Sequence, residues 1–102
     1  MSSPALVLLV RFRSLLTLDE VTEIVEKRAP EFEALAGLQQ KYYLQDSNTG
    51  EYAGLYLWDS AESLEAFRNS ELRASIARAY QAEGEPRIEV YRVFKTLRQK
   101  SA

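Results

Sequence analysis

A lysine and several aromatic side chains are concentrated in a short central part of the chain. The cluster consists of Lys41, Tyr42, Tyr43, Tyr52, Tyr56 and Trp58. A surface of rings can hold a planar aromatic ligand, and the tryptophan adds a large apolar ring with one N–H donor. A partly buried lysine among rings can have a lowered pKa or pair with a phenolate or enolate, whereas a solvent-facing or salt-bridged lysine does neither. This cluster is therefore the candidate functional site of the chain.

Alternation along residues 51–58 predicts which of these side chains share a face. Tyr52, Tyr56 and Trp58 fall on one side of the predicted strand, and Gly54 opens room between two rings. The alternative for each ring is structural packing in the core or in a dimer, with the hydroxyl at the rim. Trp58 ends the strand directly before a helix start, a place where small-molecule pockets often lie.

Composition excludes several kinds of chemistry. The chain has 102 residues, neither cysteine nor histidine, and a net charge of -2. Without those two residue types there is no thiol nucleophile and metal binding is left to carboxylates alone, so we do not expect a transition-metal enzyme. Without a basic stripe we expect no nucleic-acid partner. No apolar run is long enough to span a membrane or to act as a signal peptide, so we predict a cytoplasmic protein and no membrane partner.

The elements that position the cluster follow from periodicity and turn signals. One domain, residues 1–102, is expected from the length. Strands are predicted at 5–12, 38–45, 51–58 and 87–97, and helices at 17–36 and 61–81. Pro30 is expected to end or kink the first helix near Arg28. The second helix is expected to be interrupted at Asn69-Ser70. This β-α-β-β-α-β order predicts a ferredoxin-like α+β fold with a four-stranded antiparallel sheet and both helices on one face.

The other face of that sheet needs a cover. The first strand carries apolar residues on both sides, with Val7 and Leu9 on the side that the helices leave open. A second copy of the same sheet is the simplest supply of apolar surface. We therefore predict a homodimer with sheets packed face to face; the alternative is a monomer with a moderately apolar open sheet.

Residues 37–44 (GLQQKYYL) and 50–63 (GEYAGLYLWDSAES) carry a family resemblance. The chain resembles the YdhR-like monooxygenases of the dimeric α+β-barrel superfamily over nearly all of residues 5–95. The Trp58-Asp-Ser-x-Glu junction also resembles that of antibiotic-biosynthesis and haem-degrading monooxygenases. The histidine of the haem-degrading branch is missing from residues 75–79, and its first-strand asparagine is replaced near Arg11, so haem binding is not expected.

The resemblance implies a function. Cofactor-independent relatives help to remove a phenolic proton from an aromatic, quinol-like or polyketide-like substrate, which then reacts with O₂ directly. The resemblance therefore implies no metal and no cofactor, which agrees with a chain that lacks histidine and cysteine. Lys41 and Tyr43 are the candidate catalytic residues. The candidate substrate-binding residues are Trp58, Tyr56, Tyr42 and Arg11. A slip of one residue in the hairpin register would exchange Tyr42 for Tyr43 on the pocket face.

Two other functions stay open on the sequence. A non-catalytic module of the same fold could bind or sense a hydrophobic metabolite in the same aromatic pocket. A relative could instead catalyse isomerisation or decarboxylation, because one fold hosts many reactions. Oxygen uptake, binding without turnover, and conversion of a substrate under argon distinguish the three.

Overall fold

Strands and helices alternate in the predicted order, in a computed structural model that describes residues 4–98. The elements are β1 (Leu6–Phe12), α1 (Leu18–Glu33), β2 (Leu38–Gln45), β3 (Tyr52–Trp58), α2 (Ala61–Arg68), α3 (Glu71–Ala74), α4 (Ile76–Ala79) and β4 (Arg87–Arg92). The strands form one four-stranded sheet in the order β2-β3-β1-β4, and all neighbours are antiparallel. The fold is ferredoxin-like α+β, as predicted. Within residues 4–98, no helix is both long and apolar enough to cross a bilayer.

Helix α1 begins with a reciprocal cap. The backbone N–H of Thr17 donates to Glu20 Oε1 at 2.8 Å, and the N–H of Glu20 donates to Thr17 Oγ1 at 3.2 Å. This is the capping box that the sequence predicts. The helix does not end at Arg28 but continues through Pro30 to Glu33. Pro30 is exposed, and the buried Phe32 ring anchors the turn that follows it, which offsets the missing backbone donor.

The β2–β3 hairpin is closed by the turn at residues 46–50. Asp46 Oδ1 accepts the backbone N–H groups of Asn48 at 2.8 Å and Thr49 at 3.1 Å, and these bonds lower the pKa of the Asp46 carboxyl. Gly50 closes the turn with φ +79°. Such an Asx turn fixes the loop length and with it the residue pairing of the two strands.

The end of β3 is held against the start of β2. The backbone N–H of Asp59 donates to the carbonyl of Gly37 at 2.9 Å, and Ser60 then caps α2 by accepting the N–H of Ser63 at 3.2 Å. Gly37 has φ +81°, and a Cβ there would collide with the side chains of Ser63 and Asp59. The strand-to-helix junction after Trp58 therefore requires glycine at position 37.

The second helical segment is interrupted at Asn69-Ser70, as predicted. Ser70 caps α3 by accepting the N–H of Arg73 at 3.1 Å. A further break at Ser75, which the sequence analysis did not anticipate, separates α3 from α4. The segment thus forms three short helices, α2, α3 and α4.

Strand β4 is shorter than predicted and ends at Arg92 instead of Leu97. Its last pairing joins Arg92 to Leu6, which is the first residue of β1. No strand residue of β1 remains to pair with residues 93–97, so regular pairing stops there. Phe94 and Leu97 are exposed as a result.

The core lies between the helices and one face of the sheet. From the strands it takes Leu8, Val10, Phe12, Tyr52, Tyr56 and Trp58; from the helical segments it takes Val21, Phe32, Leu64, Phe67, Ile76 and Tyr80. The opposite sheet face carries Val7, Leu9, Leu55 and Leu57, all half-buried, and the exposed Tyr42, Leu44 and Tyr91. That second face, called the open face below, has no helix over it.

Candidate functional site

A cavity of about 240 Å³ lies between α1 and the helix-facing side of the sheet. Its walls are Phe12, Leu18, Val21, Thr22, Val25, Lys41, Tyr43, Leu44, Gln45, Tyr52, Ala53, Gly54, Tyr56, Ile76 and Tyr80. The walls are largely apolar and aromatic, with an amine and several phenolic hydroxyls among them. This combination of apolar walls with a few polar groups is typical of small-molecule sites, and the volume suits a small ring system.

Lys41 projects into this aromatic environment from β2. Its Nζ lies 3.4 Å from the ring centroid of Phe32, 4.3 Å from that of Tyr43 and 4.5 Å from that of Tyr56. Among residues 4–98, no carboxylate oxygen lies within 4 Å of this nitrogen. The stem of the side chain crosses Gly54, where a Cβ would stand 3.3 Å from Lys41 Cε. Gly54 therefore provides the space in which the lysine lies.

The surroundings of Lys41 disfavour its charged form. Burial and, to a smaller extent, the positive charge of Arg28 lower the pKa of Lys41 to about 7. The three rings act in the opposite direction, because their faces attract an ammonium group. At neutral pH the amine is thus present in both protonation states, which is the condition for accepting a proton from a bound ligand.

The tyrosines of the cavity keep their protons. Burial raises the pKa of Tyr80 to about 12 and that of Tyr56 further above its ordinary value. The pKa of Tyr43 is also raised, mainly by burial and also by Glu33, although Arg28 opposes the shift. These hydroxyls are hydrogen-bond donors at neutral pH, and Lys41 is the better proton acceptor on this wall.

Tyr43 and Lys41 also belong to the wall of a second cleft. This cleft has a volume of about 360 Å³ and is lined by Ala29, Phe32, Glu33, Leu38, Gln39, Gln40, Lys41 and Tyr43. It is more polar than the cavity and contains a carboxylate, Glu33. The amine of Lys41 therefore lies where the apolar cavity and the more polar cleft adjoin.

Trp58 does not line the cavity. Its ring is fully buried, stacks on Tyr56 with centroids 6.2 Å apart and planes 5° apart, and contacts Phe67 at 5.5 Å. Its indole Nε1 is buried without a hydrogen-bond partner in the described part of the chain. Trp58 thus supports the Tyr56 wall from behind, and Tyr56 forms the wall itself.

Tyr42 and Arg11 lie on the open face. Tyr42 pairs with Leu55, and Arg11 pairs with Ala53 on one side and Arg87 on the other. Lys41 pairs with Tyr56 and so faces the helices. The hairpin register therefore places Tyr43 beside the cavity and Tyr42 on the other side of the sheet. The structure brings Lys41, Tyr43 and Tyr56 together and leaves Tyr42 and Arg11 apart from them.

Arg28 was not among the predicted site residues. Its guanidinium lies 5.8 Å from the Phe32 ring and donates to Ser75 Oγ, while its Nη1 is buried with no partner among residues 4–98. Its charge acts on the pKa of Lys41 and on those of the cavity tyrosines. The sequence signal was present: Val21, Val25, Arg28 and Phe32 have helical spacing, so a cation occupies the apolar stripe of α1.

Carboxylates do not gather around the cavity. Across residues 4–98, no group of three or more histidine, cysteine, aspartate or glutamate side chains could hold a metal ion. The polar side chains that line the cavity are instead an amine, hydroxyls and an amide, from Thr22, Lys41, Tyr43, Gln45, Tyr52, Tyr56 and Tyr80. The guanidinium of Arg28 does not line it but acts on Lys41 through its charge.

The fold and the cavity define a ferredoxin-like α+β protein with a ring-lined hollow under its helices, and solved structures share its fold. No family model matches the chain, and no curated protein matches it by sequence. SnoaB, a cofactor-independent oxygenase from Streptomyces nogalater, is similar with a TM-score of 0.72 and 13% identity, covering 95% of this chain and 100% of SnoaB.

Two further structures show the same likeness. One, from Caulobacter crescentus and provisionally assigned as an antibiotic biosynthesis monooxygenase, has a TM-score of 0.71 at 14% identity and covers 91% of this chain and 92% of its own. The other is a dimeric ferredoxin-like protein from Thermobifida fusca, with a TM-score of 0.68 at 14% identity over 91% of this chain and 94% of its own. At these identities the likeness establishes the fold.

Proposed function

We propose that this chain is a cofactor-independent monooxygenase acting on an aromatic, quinol-like or polyketide-like small molecule, and that it works as a cytoplasmic homodimer of the YdhR-like kind. The observation that carries the proposal is the placement of Lys41 on the wall of an aromatic cavity with no carboxylate beside it. The architecture shared with SnoaB, a cofactor-independent oxygenase, supports it.

In the proposed mechanism, a substrate phenol enters the cavity with its hydroxyl toward Lys41. The neutral amine accepts the phenolic proton, and the resulting phenolate is stabilised by the new ammonium, by the Arg28 charge and by the Tyr43 hydroxyl. The apolar walls exclude water, which strengthens these interactions. Tyr56, supported by Trp58, holds the flat ring system.

The electron-rich anion then reacts with O₂. For an anthrone, one oxygen atom of O₂ becomes the new carbonyl oxygen, the other leaves in water, and the substrate loses two hydrogen atoms. The protein supplies binding, orientation and one proton transfer, so Lys41 returns to its starting state when it gives up the proton.

The proposed homodimer would cover the open face with the same face of a second copy. Half-buried aliphatic side chains, Leu9, Leu55 and Leu57, run along its centre. Tyr42 and Arg11 share this face, so we assign them to the subunit contact instead of to ligand binding. The dimeric state of the Thermobifida fusca protein supports this arrangement.

Oxygen consumption with a panel of hydroquinones and anthrones tests the function. Lys41→Met should reduce the rate about 10²–10⁴-fold because it removes the proton acceptor. Tyr43→Phe should reduce it about tenfold because it removes one hydrogen bond to the phenolate. Lys27→Met on the exposed surface of α1 and Tyr42→Phe on the open face are the matched controls, and both should keep the parent rate.

The outcomes separate oxygenation from its alternatives. Equal rates in Lys41→Met and the parent chain, with circular dichroism showing both folded, would contradict the role of Lys41. Tight binding of the panel without oxygen uptake would favour a binding or sensing protein. Conversion of a compound under argon would favour an isomerase or a decarboxylase.

A further inference from the structure

Lys41 has the surroundings of a nucleophilic amine as well as those of a base. Its Nζ is enclosed by the rings of Phe32, Tyr43 and Tyr56 and lines both the cavity and the adjoining cleft. Within residues 4–98, no carboxylate lies close enough to hold it as an ammonium. Lys27 and Lys95, by contrast, are exposed to solvent.

Nucleophilic lysines in proteins are neutral amines in apolar pockets, often with a second cation nearby. Both conditions hold here: the cavity wall removes water from the ammonium, and the charge of Arg28 repels it. The face of Phe32, 3.4 Å from Nζ, favours the charged form and limits the effect. With a pKa of about 7 from burial and Arg28, the amine is neutral in part of the molecules at pH 7.

We propose that Lys41 forms a Schiff base with an aromatic aldehyde or ketone bound in the cavity. The proposal uses the same cavity as the proposed function but does not depend on any reaction with oxygen.

The step balances without a redox partner. The amine nitrogen attacks the carbonyl carbon, a C–N bond forms, and the carbonyl oxygen becomes a hydroxyl after a proton moves to it from nitrogen. The nitrogen lone pair then forms the C=N bond while the hydroxyl takes a proton from a neighbouring donor and leaves as water. The iminium nitrogen returns its remaining proton to that donor. Amine and carbonyl compound give imine and one water molecule.

Neighbouring hydroxyls suit both proton transfers. Tyr43 lies with its ring centroid 4.3 Å from Nζ, and its raised pKa keeps its O–H available as a donor. Tyr80 is almost fully buried, and its OH has no hydrogen-bond partner within residues 4–98. A donor buried without a partner is costly, so a ligand oxygen that accepts from Tyr80 would be bound favourably.

The cavity restricts the ligand class. Its volume of about 240 Å³ and its aromatic walls favour one or two fused rings over a sugar or a nucleotide. A hydrogen-bond acceptor on the ring would satisfy Tyr80, and a carbonyl group would lie toward Lys41. Aryl aldehydes and aryl ketones have these features.

Reductive trapping of the full chain tests the inference. Benzaldehyde and sodium cyanoborohydride are added at pH 7 under argon, and the benzylated sites are mapped by peptide mass spectrometry. Lys41 should be labelled at least about tenfold faster than Lys27 or Lys95, because an ordinary lysine is almost wholly protonated at this pH. The map also separates the α-amino group, which has a lower ordinary pKa than lysine.

Matched variants complete the experiment. Lys27→Arg should keep the Lys41 adduct, whereas Lys41→Arg should lose it while circular dichroism shows that the chain is still folded. An excess of 2-naphthol, a fused-ring competitor without a carbonyl group, should slow labelling of Lys41 and leave Lys27 unaffected. Equal labelling of Lys41 and the exposed lysines in the parent chain would overturn the proposal, and this comparison needs no variant.

The two experiments can contradict the Schiff base and the oxygenase function independently. A Lys41 adduct under argon together with no oxygen uptake on any quinol would support the Schiff base and overturn the oxygenase. Oxygen uptake that depends on Lys41, with no preferred adduct at Lys41, would do the reverse.

Discussion

The two faces of the sheet are built from the same strands and have opposite surroundings. On the helix-facing side, Leu8, Tyr56 and Trp58 are at most 1% exposed. On the open face, Leu55 and Leu57 are only half-buried, and Tyr42 is 50% exposed. Neighbours along β2 therefore have different chemistry: Lys41 is desolvated among rings, while Tyr42, one residue later, faces outward.

The comparison shows how the two faces can divide the work. The apolar side chains of the helix-facing side form the core and the walls of the cavity that lowers the pKa of Lys41. The open face keeps apolar area that no helix covers, which is the surface expected of a subunit contact. Changes on the first face should alter folding and chemistry, and changes on the second should alter assembly.

The largest expected effect is on the core side. Trp58→Ala should lower the free energy of unfolding by about 3–5 kcal/mol, because it removes a fully buried indole and leaves a cavity behind Tyr56. Urea denaturation measures the change. Trp58→Phe retains most of the packing and removes an N–H that has no partner in residues 4–98, so its cost should be clearly smaller. Equal losses for the two variants would contradict this account of the site.

A smaller effect is expected from a charge on the open face. Leu55→Arg should weaken the proposed dimer by about 2–5 kcal/mol, because it places an unpaired charge at the centre of the contact. Sedimentation at micromolar concentration should report dimers for the parent chain and monomers for the variant. Lys41→Met, whose change lies on the other face, should sediment like the parent. A parent chain that sediments as a monomer would contradict the proposed homodimer.

The smallest effect concerns the pH dependence of stability. Lys41 has a pKa of about 7 in the folded chain and 10.5 as its ordinary value, so between these pH values the unfolded chain binds more protons. The contribution of Lys41 to stability therefore rises with pH in that window and is at its most unfavourable below pH 7. The stability of the parent chain minus that of Lys41→Met should rise by about 1–3 kcal/mol between roughly pH 7 and 9.5, since the rings offset part of the burial cost.

Urea denaturation at several pH values measures this difference. The range should end before the tyrosines of the unfolded chain ionise, because the raised pKa of Tyr80 gives the opposite slope there. The difference in stability between the parent chain and Lys27→Met, a change on the exposed surface of α1, should show no such rise with pH. A difference between the parent chain and Lys41→Met that does not change with pH would mean that the amine keeps its proton in the folded state.

Most of the fold could be predicted because its signals are local. The capping box at Thr17, the turn at residues 46–50 and the break at Asn69-Ser70 each depend on a few neighbouring residues, and the structure confirms all three. The length of β4 could not be predicted, because it depends on where β1, its partner, runs out.

The site was harder to predict because it depends on register. Alternation counted from the apolar Leu38 would place Tyr42 and Leu44 in the core. A bulge between Leu38 and Gln40 shifts the pairing by one residue, so Leu38 faces Trp58 and Lys41 also faces the helices. Nothing in the local sequence marks that extra residue. The place of Arg28 in the apolar stripe of α1 was visible in the sequence, but its hydrogen bond to Ser75, 47 residues later, was not.

The hairpin turn at residues 46–50 has a consequence for how such a chain can change. From Lys41 to Gln45 every partner on β3 is counted outward from this loop. Insertion or deletion of a single codon there would rotate the amine to the exterior and bring Tyr42 inward, with no substitution in either strand. A single insertion or deletion could thus move the amine that we propose to be reactive out of the cavity or back into it. The length of the five-residue loop keeps it in place.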